Sequence, residues 1–401
     1  MKLTYRSTML ACYNGYVTQA ICINLAPLLY LIFQKQFAIT LGQIGLLIAA
    51  NFLTQLCVDF IASFFAKSVN LRFCAVFAHL MTVIGLCGLS IFPLLFPPFA
   101  GLIFAECCLG IGGGFTEVMI SPLIEACPSE GKSGNMSFLH SFYCWGQAGV
   151  VLLSSLFFAL FRSEHAWYAL PFLFALVPLA GTVAFCFVPI YRLPADEAHG
   201  KDGRHLFLQP LFWSFLLMMF CAGAAELVMS QWASSFAESA LGVSKSLGDL
   251  AGPCLFAVMM GIARAFYGKC SHRISLEPLM LLGSLLCIVA YLLAAFVSIP
   301  FVAFLGCALC GLSVGIFWPG MLSRASAKLP QGGMALFAMM AVAGDLGCLV
   351  GPSLAGAVAD LFGGDLRWAF CFAVLFPTVN FIALLFQMKK NKKGDRHEFS
   401  A

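Results

Sequence analysis

The sequence has 401 residues, of which 61% are hydrophobic and only 10% are charged. An average soluble domain carries about 25% charged residues, so this chain lacks the polar surface that a water-soluble fold needs. Intrinsic disorder is excluded as well, because it requires low hydrophobicity and high charge. Long unbroken apolar segments, rather than short alternating ones, predict an all-α polytopic membrane protein.

Apolar segments of about 20 residues or more, the length that crosses a bilayer, recur along the whole chain. We predict twelve transmembrane helices in two pseudo-symmetric six-helix bundles. The predicted spans cover residues 8–33, 41–66, 73–95, 98–126, 135–161, 167–190, 210–236, 247–267, 276–297, 300–326, 333–361 and 367–388.

The longest polar stretch, from Arg192 to His205, divides the spans into two sets of six. We therefore predict an N-terminal bundle over residues 1–191, a cytoplasmic linker over 192–208, a C-terminal bundle over 209–388 and a basic cytoplasmic tail over 389–401. With both termini in the cytoplasm, 18 of the 22 Lys and Arg residues fall on the cytoplasmic side. This asymmetry follows the positive-inside rule and predicts a multi-pass protein of the plasma membrane, in particular a bacterial inner membrane.

The two halves resemble each other at a constant offset of 198 residues. The motif GQAG, which begins at Gly146, meets GDLG, which begins at Gly344, and Met136 meets Met334 at the same offset. Parallel repeats of this kind are typical of transporters that hold their substrate near the middle of the bilayer, between the halves.

Several motifs carry a resemblance to a known family. They are GGGFTE in the fourth helix, which ends at Glu117, the polar fifth helix from Asn135 to Gln147, and GDLG, which precedes Gly351 and Pro352. With twelve spans and a central loop, the chain resembles the major facilitator superfamily over nearly its whole length. The motifs are similar to those of the sugar–proton symporters around fucose permease. The resemblance implies alternating access, a sugar-like substrate and coupled protons.

The loop between the second and third helices departs from the family pattern. The superfamily usually has an acidic residue and a glycine there. This sequence lacks both and keeps only the basic character of the loop, in Lys67 and Arg72. We take these two residues as gating-loop candidates, without the usual charge-relay latch.

Five carboxylates fall well inside predicted spans, where an ionised side chain costs about 2.5–3.5 kcal/mol to insert. The sequence indicates no Lys or Arg at a comparable depth. A carboxylate at low dielectric without a cation holds its proton more tightly than in water, which suits a group that carries coupled protons. The proton-coupling candidates are Glu117, Asp345, Glu226, Glu106 and Asp59.

These candidates differ in how well their context supports proton binding. Glu117 is the first choice, because three glycines precede it and Pro122 follows, which loosens the helix. Glu106 lies about three turns earlier on nearly the same face and is equally consistent with a structural role. Asp345 and Glu226 fit proton binding or a contact between the halves equally well. Asp59 is expected to make a structural contact, with Arg72 as a possible partner.

The fifth helix carries the most polar predicted face. His140, Tyr143 and Gln147 are spaced i, i+3 and i+7, and Trp145 lies on an adjacent strip. Such a mixture suits a sugar, whose hydroxyls bond to polar groups while its CH faces pack on rings. Hydrogen bonding between helices is the alternative, as interfacial anchoring is for the tryptophans. The other substrate-binding candidates are Asn14, Gln19, Asn24, Gln55, Gln231, Trp232, Trp318 and Asn380.

We therefore predict a secondary active transporter, not an enzyme, that moves a sugar or related hydroxylated metabolite with protons. We expect a monomer whose partners are its substrate, protons and the lipid bilayer, with no cofactor, no metal and no nucleic acid. The 18 cysteines are scattered through apolar runs and indicate packing rather than a disulfide framework. The alternatives are an exporter of drugs or amphipathic metabolites, favoured by 41 phenylalanines and 16 methionines, and a transport-inactive membrane sensor.

Overall fold

The helices follow from the hydropathy of the chain, because a backbone surrounded by lipid must satisfy its own hydrogen bonds, and an α-helix does so within one segment. The computed structural model describes residues 3–65, 70–161, 163, 165–193, 203–243, 250–297 and 299–398. Over these ranges it contains no β-strand, so the predicted all-α class is confirmed.

Within the described ranges, fourteen α-helices occupy the twelve predicted segments. They are α1 (Tyr5–Phe37), α2 (Leu41–Phe65), α3 (Leu71–Leu95), α4 (Pro98–Ala126), α5 (Lys132–Leu160), α6 (Ala169–Phe187), α7 (Pro210–Leu241), α8 (Leu255–Cys270), α9 (Leu276–Phe296), α10 (Pro300–Val314), α11 (Phe317–Lys328), α12 (Gly333–Leu361), α13 (Leu366–Ala373) and α14 (Leu375–Glu398). Short helical turns at Ala166–Tyr168, Gly203–Leu208, Leu250–Cys254 and Pro330–Gly332 complete the described elements.

Two predicted spans are each divided into two helices, and a proline accounts for each division. Proline has no N–H, so it cannot donate to the carbonyl four residues earlier. Pro319 cannot donate the usual helical hydrogen bond to the carbonyl of Gly315 between α10 and α11, and Pro377 cannot donate it to Ala373 between α13 and α14. The breaks therefore follow from local sequence, although the hydropathy pattern runs through them.

Nine helices of the described chain are long and apolar enough to cross a membrane, and a shorter apolar stretch covers Leu46–Ala62. Large apolar side chains also cover the outside of the molecule; on α5, Leu152, Leu156 and Leu160 are each more than half exposed. Water disfavours such a surface, whereas lipid matches it. The polytopic character is thus confirmed, while the number of twelve crossings stays a prediction.

The chain forms two compact units. The first comprises Met1–Glu130, Phe142–Gly203 and Pro330–Met339, and the second comprises Gly131–Ser141, Arg204–Leu329 and Met340–Ala401. The predicted bundle boundaries at 191 and 209 stay a prediction. All 18 cysteines are free thiols, and most are buried or half-buried.

Helix α4 is central to the first unit and packs against α1, α2 and α3. Small residues permit this packing: a side chain at Gly112 would collide with Thr82 of α3, and one at Gly110 would collide with the Asn51 carbonyl of α2. The glycine run that marks α4 in the sequence therefore lets two neighbouring helices approach closely. Polar side chains on α1 and α2 thereby come within reach of the carboxylates on α4.

Candidate functional site

Glu117 lies near the middle of α4 and accepts hydrogen bonds from two neighbouring helices. Gln19 of α1 donates through Nε2 to Oε2 of Glu117 over 3.1 Å, and Gln55 of α2 donates to the same oxygen over 2.8 Å. Both glutamines are buried, whereas Glu117 is half-buried. The structure thus brings together three of the residues that the sequence analysis selected, one from each of three helices.

The carbonyl oxygens of the same two glutamines converge beside Gly113. The Oε1 atoms of Gln55 and Gln19 lie 3.0 and 3.1 Å from the position that a Gly113 side chain would take. Neither oxygen has a hydrogen-bond partner within the described residues. Two acceptors next to a carboxylate form a group that hydroxyl donors can satisfy, and the glycine leaves space beside them.

Glu106 forms a second carboxylate centre on α4. Tyr30 of α1 donates its hydroxyl to Oε1 over 3.0 Å, and Asn51 of α2 donates Nδ2 to Oε2 over 2.8 Å. Glu106 is 1% exposed, and its neighbours Leu102, Ala105 and Leu109 belong to the apolar core. The sequence indicated Glu106, but neither Tyr30 nor Asn51, because each side chain alone is unremarkable in an apolar helix.

His79 of α3 is a buried polar residue that the sequence analysis missed. Its Nδ1 donates to the carbonyl of Ala75 over 2.8 Å, which leaves Nε2 as an acceptor. A side chain at Gly181 would collide both with the His79 ring and with Oδ1 of Asn14. Asn14 in turn donates Nδ2 to the carbonyl of Val177 over 3.1 Å. Asn14 therefore lies at the junction of α1, α3 and α6.

Two further candidates of the first unit, Asp59 and Asn24, lie on α2 and α1. Asp59 is fully buried on α2, one turn beyond Gln55. Asn24 donates to the carbonyl of Ala20 in its own helix over 2.8 Å. Asn51, Gln55 and Asp59 thus form a buried polar stripe with a spacing of four residues.

The suggested contact between Asp59 and Arg72 was wrong. The Arg72 guanidinium donates through Nη1 to the carbonyls of Phe185 and Cys186, and through Nη2 to that of Val188, over 2.6 to 2.9 Å. The last carbonyls of a helix have no partner within the helix, so a cation is stabilised there. Arg72 therefore caps the end of α6. Lys67, the other gating-loop candidate, lies outside the described residues.

The expectation that all five carboxylates lack a deep cation was wrong for Glu226. Arg264 of α8 is 3% exposed, and its Nη2 lies 3.2 Å from Oε2 of Glu226 on α7. The helix α8 continues to Cys270, so Arg264 lies inside the helix and is buried among its neighbours. A long side chain at this position reaches the carboxylate of the neighbouring helix.

The remaining donors of Arg264 bind backbone carbonyls. Its Nε donates to Gly315 over 2.9 Å, and its Nη1 donates to His140 over 3.4 Å. The Gly315 carbonyl is available because Pro319 cannot bond to it. The spacing of Gly315 and Pro319 in the sequence therefore indicates a free backbone carbonyl at this site. It does not indicate that Arg264 binds there.

The fifth-helix candidates differ strongly in exposure. His140 is 3% exposed, Tyr143 and Gln147 are half-buried, and Trp145 is 41% exposed. The backbone carbonyl of His140 accepts the hydrogen bond from Nη1 of Arg264 described above. The role of these residues in substrate binding stays a prediction.

The C-terminal candidates mostly lie against neighbouring helices. Trp232 donates its indole N–H to the carbonyl of Pro352 over 3.1 Å, and the ring of Trp318 packs directly on Gly344. Asp345 is half-buried beside that glycine, Gln231 is exposed, and Asn380 is fully buried. The structure therefore brings Trp318 close to the motif that contains Asp345.

Comparisons with known proteins agree with this architecture. The model of the Major Facilitator Superfamily matches residues 8–341, with a second match over residues 255–400. A variant of the E. coli fucose:proton symporter FucP is similar in structure, with a TM-score of 0.82 and 16% identity over 96% of this chain and 99% of that chain. No curated protein sequence matches the chain.

Two further solved structures are similar. The proton:xylose symporter XylE bound to 6-bromo-6-deoxy-D-glucose has a TM-score of 0.80 and 14% identity, over 96% of this chain and 95% of that chain. The human organic anion transporter MFSD10 has a TM-score of 0.71 and 16% identity, over 96% of this chain and 100% of that chain. At such identities these likenesses establish the fold alone. The match of the family model over most of the chain establishes more: the chain belongs to the Major Facilitator Superfamily, whose members are membrane-embedded transporters of small molecules.

Proposed function

We propose that this transporter moves a small polyhydroxylated solute, such as a sugar, together with protons, and that Glu117 carries the coupled proton. The observation that carries the proposal is the Glu117 group, in which one carboxylate receives amide donors from α1 and α2. A carboxylate at this depth can exist in a charged and a neutral form, and the bonds to Gln19 and Gln55 change strength between them. Protonation therefore alters how firmly three helices are held together.

The surplus of acceptors in the same group supports a hydroxylated substrate. The Oε1 atoms of Gln19 and Gln55 bring two acceptors beside the carboxylate, and sugar hydroxyls are donors of suitable size. Similar structures include a fucose:proton symporter and a proton:xylose symporter, which is consistent with this substrate class.

The decisive variant is Glu117→Gln, measured in proteoliposomes with an imposed inward proton gradient. The substrate is first chosen by thermal-shift screening of the purified protein against sugars, amino acids and drugs. We expect gradient-driven uptake to fall by at least about tenfold, equivalent to roughly 1.4 kcal/mol of barrier. Substrate exchange without a gradient should persist, because a permanently neutral side chain still permits the loaded carrier to reorient.

The matched control is Asp360→Asn, the same acid-to-amide change at an exposed position of α12, which should behave as the wild type. Wild-type uptake that ignores the gradient and a protonophore would refute proton coupling. Full gradient-driven uptake in Glu117→Gln would refute the assignment of the carrier. Stabilisation by hydrophobic cations and by no sugar would favour drug export instead.

A further inference from the structure

Glu106 presents a chemical arrangement that differs from that of Glu117. Its two oxygens each accept one hydrogen bond, from a hydroxyl in one case and from an amide in the other. An amide N–H can only donate, whereas a tyrosine hydroxyl can either donate or accept. The two oxygens of Glu106 are therefore not equivalent: Oε2 is held as an acceptor, and Oε1 faces a reversible partner.

The Glu106 carboxyl can bond to the same two partners in both protonation states, with the Tyr30 proton turned away from Oε1 in the neutral form. In the charged form, the Tyr30 hydroxyl and the Asn51 amide donate to the carboxylate. In the neutral form, Oε2 remains a carbonyl oxygen that accepts from Asn51, and Oε1–H donates to the Tyr30 oxygen. Such a carboxyl can gain and lose a proton while each of its oxygens keeps a hydrogen-bond partner, which a buried polar group requires.

We propose that Glu106 is a second proton-binding site, loaded through the hydroxyl of Tyr30. A hydronium ion that reaches the Tyr30 oxygen gives one proton to it and leaves as water, while the original hydroxyl proton moves to Oε1 of Glu106. Two O–H bonds break, one in hydronium and one in Tyr30, and two form, one on Tyr30 and one on Glu106. Unloading reverses the same step.

The surroundings of Glu106 leave this proton exchange unopposed by fixed charge. Helix α1 contributes Tyr30 and the thiol of Cys22, which lies near enough to interact with the Glu106 charge. Helix α2 contributes the neutral amide of Asn51, and α3 packs on α4 through residues such as Gly85. Both side chains that bond to Glu106 are uncharged, and the apolar core surrounds them.

The position of Glu106 gives the second site a place in transport. Glu106 and Glu117 lie eleven residues apart on α4, which corresponds to about 16 Å along the axis. In the predicted orientation, Glu106 is on the extracellular half of the membrane. A proton entering from outside would therefore reach Glu106 before Glu117. This part of the inference rests on the proposed proton coupling.

Infrared difference spectroscopy of the purified wild-type protein, recorded across a pH titration, tests the site directly. A protonated carboxyl in an apolar setting gives a C=O band that differs from that of its carboxylate. We expect Glu106→Gln to remove one titrating C=O component, Glu117→Gln to remove a different one, and Asp360→Asn to remove neither. A spectrum of folded Glu106→Gln identical to the wild type at every pH would overturn the proposal.

Tyr30→Phe keeps the proposal testable if Glu106→Gln fails to fold. This variant retains the carboxyl and the Asn51 bond and removes only the exchange partner. We expect the Glu106 band to shift and its titration midpoint to move, and gradient-driven uptake to fall by about tenfold or more. An unshifted band and midpoint would refute the role of Tyr30. The bands report on Glu106 even if wild-type transport is independent of protons, so failure of the proposed function would be recognised separately.

Discussion

At the scale of single residues, the acids within the helices differ in the kind of partner that they have. Glu106 and Glu117 accept from neutral hydroxyl and amide donors, whereas Glu226 accepts from the guanidinium of Arg264. A carboxylate with a fixed cation is held charged, whereas one with neutral donors exchanges a proton more readily. This contrast supports the proposal that proton exchange occurs on α4, with the Glu226–Arg264 pair as a fixed ionic contact.

The Glu226–Arg264 pair leads to a prediction about stability. Arg264→Ala should lower the free energy of unfolding by about 3–5 kcal/mol, because it leaves the Glu226 charge buried without its cation. The measurement is denaturation of the purified protein in detergent.

The control for this prediction removes both charges. Arg264→Leu combined with Glu226→Leu should recover much of the lost stability, since no charge is left without a partner. A double variant that is less stable than Arg264→Ala would contradict the interpretation.

At the scale of helices, glycine contacts and caps decide which elements approach one another. Helices α7 and α12 touch through small residues on both sides: a side chain at Gly347 would collide with the Phe220 carbonyl, and one at Gly223 with the Gly344 carbonyl. The repeat partner of Gly347 in the N-terminal half is Gly149, where a side chain would meet nothing within 4 Å. Both halves therefore contain the glycine motif, but of the two matching glycines only Gly347 forms a close contact with a neighbouring helix.

This difference yields a matched pair of variants. Gly347→Ala should lower the melting temperature, because the added methyl group meets backbone that can move only by separating α7 from α12. Gly149→Ala should leave the melting temperature unchanged or raise it, since alanine favours a helix by up to about 1 kcal/mol over glycine. Equal effects of the two substitutions would contradict the assigned contacts.

The cap of α6 by Arg72 can be tested in the same way. Arg72→Ala should cost about 2–3 kcal/mol of stability, because hydrogen bonds to a charged donor contribute about 1.5–3 kcal/mol each and water replaces part of that contribution. Arg72→Lys should recover only part of the loss, since an ammonium cannot match the planar fork that reaches three carbonyls. A lysine variant as unstable as the alanine variant would show that charge at this helix end contributes nothing.

At the scale of the whole molecule, the distribution of Lys and Arg predicts the orientation of the chain. Both termini should lie in the cytoplasm. A fluorescent protein that folds only in the cytoplasm should therefore fluoresce when fused after residue 401. A periplasmic reporter inserted after Gly364, in a turn with positive φ between α12 and α13, should also be active. A dark C-terminal fusion would reverse the orientation and, with it, the placement of Glu106 on the outer side.

Much of the fold could be predicted because hydropathy acts locally. Helices α4 and α12 begin and end where the apolar pattern does, since each helix satisfies its backbone alone. The breaks after Val314 and Ala373 were missed although Pro319 and Pro377 encode them, because their side chains remain as apolar as the surrounding helix. Glu117 could be selected from its glycines, but Arg264 looked like a membrane-edge cation, because depth in a bilayer cannot be read from the spacing of residues.

The sequence by itself determined that this is an all-α membrane protein, its family and the short list of acids that lie within the predicted spans. Those conclusions depend on composition and on local periodicity, which a linear chain contains in full. Only the tertiary structure decided which partner each acid has: amides for Glu117, a tyrosine and an asparagine for Glu106, and an arginine for Glu226. The partners come from helices that are 38 to 98 residues away in the chain, and only packing of those helices selects them.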